Sequence, residues 1–281
     1  MKKIVFVLLV TATSFGLCSC QKKSSSSSSK ALFDSVPVVK PLNPVVNEIS
    51  GIADSKINPG YLWGEEDSGN PNQVYLINHN GTVAKTIYLK GITNRDWEDM
   101  ALVDGTIYLA ETGDNAQAYA SYRFYTFTEP ALSTDTVSTI QTINFTYPDG
   151  SHDAEAFLVD ESKNIYIITK RDNPSKIYKL SYPYSAGNTV SLVGSLPYSG
   201  VVSAALNANE IIVKTYPGLL YYKRQAGETI EQTLKKAYTP LPYIVEPQGE
   251  AVAFASDGSG YYTISEKGLS STVNIYFYKR K

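Results

Sequence analysis

Two acid-x-acid pairs are the residues best placed to do chemistry in this chain: Asp96 with Glu98, and Asp153 with Glu155. Gln248 with Glu250 and Glu48 with Ser50 are partial copies of the pattern. Side chains two apart on a strand share a face, so each pair holds two carboxyls together. Like charges within about 5 Å repel, and the remedies are a bound cation, a neighbouring Lys or Arg, or a raised pKa. Calcium suits the first remedy because it accepts about six to eight oxygens in flexible geometry. The segments DSGN (67–70), GDN (113–115) and RDN (171–173) supply further oxygens, although Asp, Asn and Gly also favour plain turns. Glu98, Glu155, Glu250, Asp67 and Asp114 are therefore the candidate calcium ligands. Salt bridging to Arg95, Lys170, Arg171 or Lys214 is the competing account. On either account Glu48, Asp96, Glu98, Asp153, Glu155, Lys170, Arg171, Gln248 and Glu250 form the candidate ligand-binding set.

Other chemistries find less support. The two histidines, His79 and His152, are too few for a zinc centre. His152, beside Asp153 and Glu155, is a candidate general base, with Glu98 and Glu155 as candidate proton-transfer groups. It also fits a turn residue after TYPDGS (146–151). There is no GxSxG elbow, HExxH helix, P-loop or dinucleotide fingerprint.

An internal repeat supplies the elements that must position these side chains. Short segments of small and apolar residues begin at Ser50, Glu98, Glu155, Ser203 and Glu250, at intervals of 48, 57, 48 and 47 residues. Each is followed by a turn and an apolar run: Tyr61 to Trp63, Ile107 to Leu109, Tyr166 to Ile168, Ile211 to Val213 and Tyr262 to Ile264. A third run carries an apolar residue followed by Tyr, at Tyr75, Tyr125, Tyr178, Tyr221 and Tyr276. Fourth strands are legible at Thr82 to Leu89, Thr136 to Phe145 and Thr189 to Leu196, and less clearly before Pro240. This is the size and order of a four-stranded propeller blade. The expected fold is all-β, a β-propeller of five blades of four antiparallel strands. The Val36 to Leu42 segment completes the last blade, because the fifth unit runs out of chain after its third strand. Six blades are the alternative if the long interval between Glu98 and Glu155 hides an extra hairpin, and a two-sheet sandwich is a further one. In a propeller the innermost strands surround a channel, so the acid pairs should crowd one mouth. Most of the 22 tyrosines occupy equivalent strand positions, which reads as packing rather than a sugar-stacking surface.

The run from Glu48 to Pro130, with SGIA (50–53), LW followed by DSG (67–69), NRDWEDMA (94–101), IYLAETGDN (107–115) and EP (129–130), resembles bacterial secreted propellers of the SdiA-regulated and esterase-like phytase groups. Later units match through EAF (155–157) and GEAV (249–252). The resemblance implies a propeller, calcium, and in some members hydrolysis of esters or phosphoesters. The shortage of His and Arg around the mouth argues against phosphate handling.

The N-terminus gives an address. Lys2 and Lys3 precede an apolar run, Ile4 to Val10, that is too short to span a membrane. It continues more weakly through Leu17 and closes in Leu17-Cys18-Ser19-Cys20, which resembles a bacterial lipobox, making residues 1–19 a lipoprotein signal peptide and Cys20 the lipidated residue. An ordinary cleaved signal is the alternative. Residues 20–34, with six consecutive serines from Ser24, read as a flexible tether, and 35–281 as one propeller domain. Lysines rather than acids follow Cys20, so an outer-membrane anchor facing the periplasm is expected. Once Cys18 leaves with the signal, the body holds no thiol for a disulfide or nucleophile. Net charge of -2 and a pI near 5.8 leave no basic stripe for nucleic acid. The sequence thus favours a monomeric, lipid-anchored propeller that binds a small ligand or an envelope protein at a carboxylate-lined mouth, with calcium as the candidate cofactor. A metal-assisted hydrolase and a passive scaffold are the other two readings.

Overall fold

A computed structural model describes residues 31–281; the signal segment, Cys20 and tether residues 20–30 lie outside the described residues. Five sheets form the body, one for each unit of the repeat. Their innermost strands are Ile49–Asp54, Trp97–Val103, Ala154–Val159, Val201–Asn207 and Ala251–Phe254. Each packs against the next, and the last packs against the first, so the ring is a closed five-bladed propeller. The interval between Glu98 and Glu155 holds a linker rather than a sixth blade: its Thr136–Val137 pairs in parallel with Val83–Leu89 of blade 1.

Two sheets depart from the four-stranded expectation. Thr136–Val137 extends blade 1, and Asn188–Thr189 pairs in parallel with Gln141–Thr146 to extend blade 2, giving five strands in each. The segments read as fourth strands of blades 2 and 3 are therefore split. Their first residues cap the preceding sheet, and only Gln141–Thr146 and Ser191–Ser195 pair within their own. This covers edges that would otherwise offer free backbone groups.

Five apolar clusters hold the ring together, one for each pair of neighbouring blades. Most tyrosines belong to these seams. Several buried rings reach an acid with their hydroxyl, as Tyr122 does with Asp114, Tyr178 with Asp149 and Tyr221 with Glu210. Closure follows the expected route: Val38–Pro41 pairs antiparallel with Asn274–Lys279. The folded body starts earlier than residue 35, however. Phe33 is fully buried, bridges to Arg280, and packs edge-on to Tyr261 at 4.9 Å.

Four of the five inner strands carry a β-bulge at their entrance. The register skips Ser50, Glu98, Glu155 and Val202, leaving each opposite no partner residue. A bulge re-aims the extra side chain, and here it turns Glu98 and Glu155 toward the mouth. In blade 4 the skipped residue is Val202, so Ser203 is one position out of phase with the repeat marker assigned to it.

Candidate functional site

Carboxyls from several blades meet where the inner strands begin. Oxygens of Asp67, Asp96 and Glu98 lie within 4.8 Å of one another, and so do those of Glu98, Asp153 and Glu155, with Glu98 common to both sets. Backbone ties fix this convergence. Asn94 Nδ2 donates to the Glu66 and Asp67 carbonyls, both at 2.8 Å, while its Oδ1 accepts from Trp97 N at 3.1 Å. The loop after the second strand of blade 1 is thereby stapled to the entrance of blade 2, setting Asp67 beside Asp96 and Glu98. One blade further on, Thr112 Oγ1 donates to the Ala154 carbonyl at 2.7 Å, and Asp114 N donates to Asp153 Oδ1 at 2.8 Å.

The two triads differ in compensation. Lys170 donates to Glu155 and lies 3.8 Å from Glu250, and Arg171 Nε donates to Asp153 at 2.8 Å. Salt bridging thus accounts for much of the second triad. Glu155 Oε2 nonetheless remains buried without a partner. The other two basic candidates serve elsewhere: Arg95 stacks over Tyr119 at 4.0 Å and approaches Glu111, while Lys214 is buried against Glu246. The Asp67–Asp96–Glu98 triad has no ion pair of its own among the described residues. It also has a tailored wall: a Cβ on Gly113 would overlap Glu98 Oε1 and sit 2.6 Å from Asp96 Cγ. Only glycine lets both carboxyls approach that loop.

Electrostatics follow from this crowding. Burial, reinforced by neighbouring acids, raises the Glu98 carboxyl well above the usual range. Burial likewise raises Glu155, with Lys170 opposing. Asp67 is pushed up to about 6 by burial and by Asp96, Glu250 and Glu48, against a hydrogen bond from Ser68 N. Glu266 is pushed up to about 8 by burial and by Glu250. A site that holds protons against solution in this way is one where a cation has the same charge to neutralise.

The remaining sequence candidates divide. Glu250 belongs to the mouth: Tyr216 OH donates to it, and Ser50 Oγ stands 3.4 Å from its other oxygen. Gln248 Nε2 donates to Glu266 at 3.0 Å. Glu48 lies at the rim, accepting from Asn70 at 2.6 Å. Asp114 is not in either triad; its carboxylate accepts from Ala118 N, Tyr119 N and Tyr122 OH and so closes its own loop. His152 faces away from the triads, with Nδ1 2.9 Å from Asp172 and Nε2 3.1 Å from Asp149 and 2.9 Å from Tyr178 OH. Both ring nitrogens are thus committed outside the mouth.

Among the buried acids that sequence did not single out are Glu266, described above, and two in the channel wall, Asp99 and Glu65. Asp99 Oδ2 reaches from blade 2 to blade 4, 3.2 Å from Ser203 Oγ and 3.3 Å from Ala204 N. Glu65 is fully buried with neither oxygen partnered. Gly51 makes room for both, since a Cβ there would lie 2.7 Å from Asp99 Cα and from Glu65 Oε1. Beyond this level the channel opens toward the opposite mouth as a cavity of about 300 Å³.

Neither a protein-family model nor a curated protein matches this chain. Solved structures do. One whose name assigns it provisionally to the gluconolactonases aligns over 89% of this chain and 95% of its own, with a TM-score of 0.53 at 10% identity. The likeness is one of fold. A PQQ-bound aldose sugar dehydrogenase from Streptomyces coelicolor aligns over 89% and 100%, with a TM-score of 0.49 at 10% identity.

Proposed function

We propose that this chain is a cell-envelope propeller that binds a small oxygen-bearing ligand at its acidic mouth through a divalent cation held by Asp67, Asp96 and Glu98. The observation that carries the reading is the uncompensated triad: three carboxyls from two blades, brought within 4.8 Å of one another against a glycine wall. Calcium fits the donor set, which is all oxygen. When bound, such a cation polarises carbonyl or hydroxyl oxygens. The second triad, with Lys170 and Arg171 already in place, would face the ligand rather than the ion.

Protons and calcium compete for the Asp67 oxygens, with Glu266 titrating nearby, which gives the test its sign. Asp67 and Glu266 bind protons more tightly folded than unfolded, so the stability they contribute is complete below about pH 4 and is lost as pH rises through about 6 and 8. The chelated protein should therefore melt progressively lower between pH 5 and 8. Calcium at about ten times its pH 8 Kd should restore about 1.4 kcal/mol there, or roughly 3–6 °C, and the same concentration should restore less at lower pH. Glu98→Gln should abolish that response. A wild-type melting curve indifferent to calcium and chelator at pH 8 would refute the cation.

Hydrolysis is the second reading, favoured by the raised Glu155 carboxyl with its unpartnered oxygen at the same mouth. Glu155 is placed to hand a proton to a leaving group. Lactones and carboxylic esters are the substrates to offer, since the structurally similar protein carries a gluconolactonase name. The envelope placement rests on Cys20 and its lipobox-like context. A Cys20→Ser chain should lose its lipid mass and leave the membrane fraction; retention of both would refute the anchor.

A further inference from the structure

Where blades 4 and 5 meet, the acidic mouth gives way to a hollow of about 380 Å³ lined by Tyr216, Pro217, Val245, Glu246 and Gln248. Its rim is apolar and open. Val245 is 66% exposed and Ile244 45%, and Leu269 stands fully in solvent. Isolated exposed apolar residues need no explanation, but these lie on two adjoining loops at one mouth. Glu266 N donates to the Gln248 carbonyl at 3.0 Å, and Gln248 Nε2 returns a bond to Glu266, which ties the loops together. Gln248 itself is held at φ 46°, a left-handed conformation that a side chain rarely adopts and that tends to persist at functional sites.

Hydrogen bonds lead from the hollow to the Glu98 backbone and to Glu155, beside the Asp67–Asp96–Glu98 triad. Tyr216 OH donates to one oxygen of Glu250. Ser50 Oγ lies 3.4 Å from the other and 2.7 Å from the Glu98 carbonyl oxygen. Lys170 touches both Tyr216 and Glu155. The hollow thus lies beside this hydrogen-bonded chain, with Tyr216, Pro217 and Val245 in its wall and Leu269 on the adjoining loop.

We propose that this hollow seats the apolar chain of a neutral ester or lactone whose carbonyl oxygen approaches the Asp67–Asp96–Glu98 site. The proposal rests on reading that triad as a cation site. The head is neutral because an anion would meet the triad's own carboxyls with Glu250 and Glu266 close by. The tail is apolar because the hollow supplies Pro217, Val245 and the Tyr216 ring, with Ile244 and Leu269 exposed on the flanking loops.

The test is a homologous series of γ-lactones, from γ-butyrolactone through γ-octalactone to γ-decalactone. Binding to the full chain is followed by ligand-observed NMR in calcium. Affinity should rise about twofold per methylene, half the roughly fourfold that complete burial gives, because the hollow is open on one side. Val245→Asp and Leu269→Asp lie on exposed loops and should flatten that slope while leaving the calcium-induced rise in melting temperature intact. Glu98→Gln should remove the calcium effect and weaken every member of the series equally. Equal affinity across the wild-type series, or a wild-type slope in Val245→Asp, overturns the hollow as the chain's seat. A slope that survives without any calcium effect overturns the cation alone.

Discussion

Replacing Lys214 with methionine is expected to cost about 3–5 kcal/mol, which for a domain of this size lowers the melting temperature by about 6–20 °C. Lys214 and Glu246 are both wholly shielded from solvent, with Nζ 3.5 Å from Oε2. Neither of those two atoms has a hydrogen-bond partner. The ammonium instead sits 3.9 Å over the Tyr243 ring, and the other Glu246 oxygen accepts from Thr263. Removing the cation leaves a buried carboxyl whose pKa burial already raises. The deficit should therefore shrink as pH falls and Glu246 takes up a proton. Lys214→Met combined with Glu246→Gln should recover most of the loss, because the penalty lies in the orphaned charge rather than in the missing pair. Thermal melts at pH 5 and pH 8 decide the matter. A single variant within about 1 kcal/mol of wild type at pH 8 would mean that the pair is not desolvated.

The five blades were legible because their signal is redundant. An inner segment, a second run and an apolar-Tyr third run recur five times, and tertiary packing had no reason to override so many copies. Edges were less legible. Thr136–Val137 and Asn188–Thr189 read as the starts of fourth strands, but parallel pairing to the preceding sheet is decided by where the linkers pass. Phe33 was read with the tether because a single aromatic beyond a serine run carries no period; its burial between Tyr221 and Tyr261 depends on ring closure.

At the mouth, residue type was a better guide than strand parity. The acid-x-acid rule presumes regular alternation, whereas Asp96 and Asp153 precede their strands and Glu98 and Glu155 are bulge residues. The pairs do converge, because the bulge turns the second acid toward the first. Parity breaks at the next residue: Asp99 follows Glu98 directly and points across the channel to blade 4. Glu65 was hidden differently, in a second strand whose neighbours read as core. Asp114 and His152 show the reverse case, where suitable residues at suitable spacing are spent on their own loops by Tyr122 and by Asp149 and Asp172.

Gly113→Ala should weaken calcium binding by about 10- to 100-fold, the scale on which groups supporting metal ligands act. Its Cβ would overlap Glu98 Oε1 and press on Asp96. The loop cannot retreat easily, because Gly113 N bonds the Asp96 carbonyl at 3.3 Å and Asp114 N bonds Asp153. Glu98 has the longer side chain and must give way, which withdraws the one carboxyl that both triads share. Crowding this buried corner should also cost about 1–3 kcal/mol in the absence of calcium. Gly69→Asn is the matched control. Gly69 lies in the loop beside Asp67 at φ 76°, with nothing within 4 Å of an added Cβ, and asparagine tolerates that conformation. It should keep the wild-type affinity. Calorimetric titration of both variants separates the outcomes: wild-type calcium binding by Gly113→Ala would move the ion off Glu98 and Asp96, whereas equal losses in both would trace the effect to loop mobility rather than to the carboxyl pair.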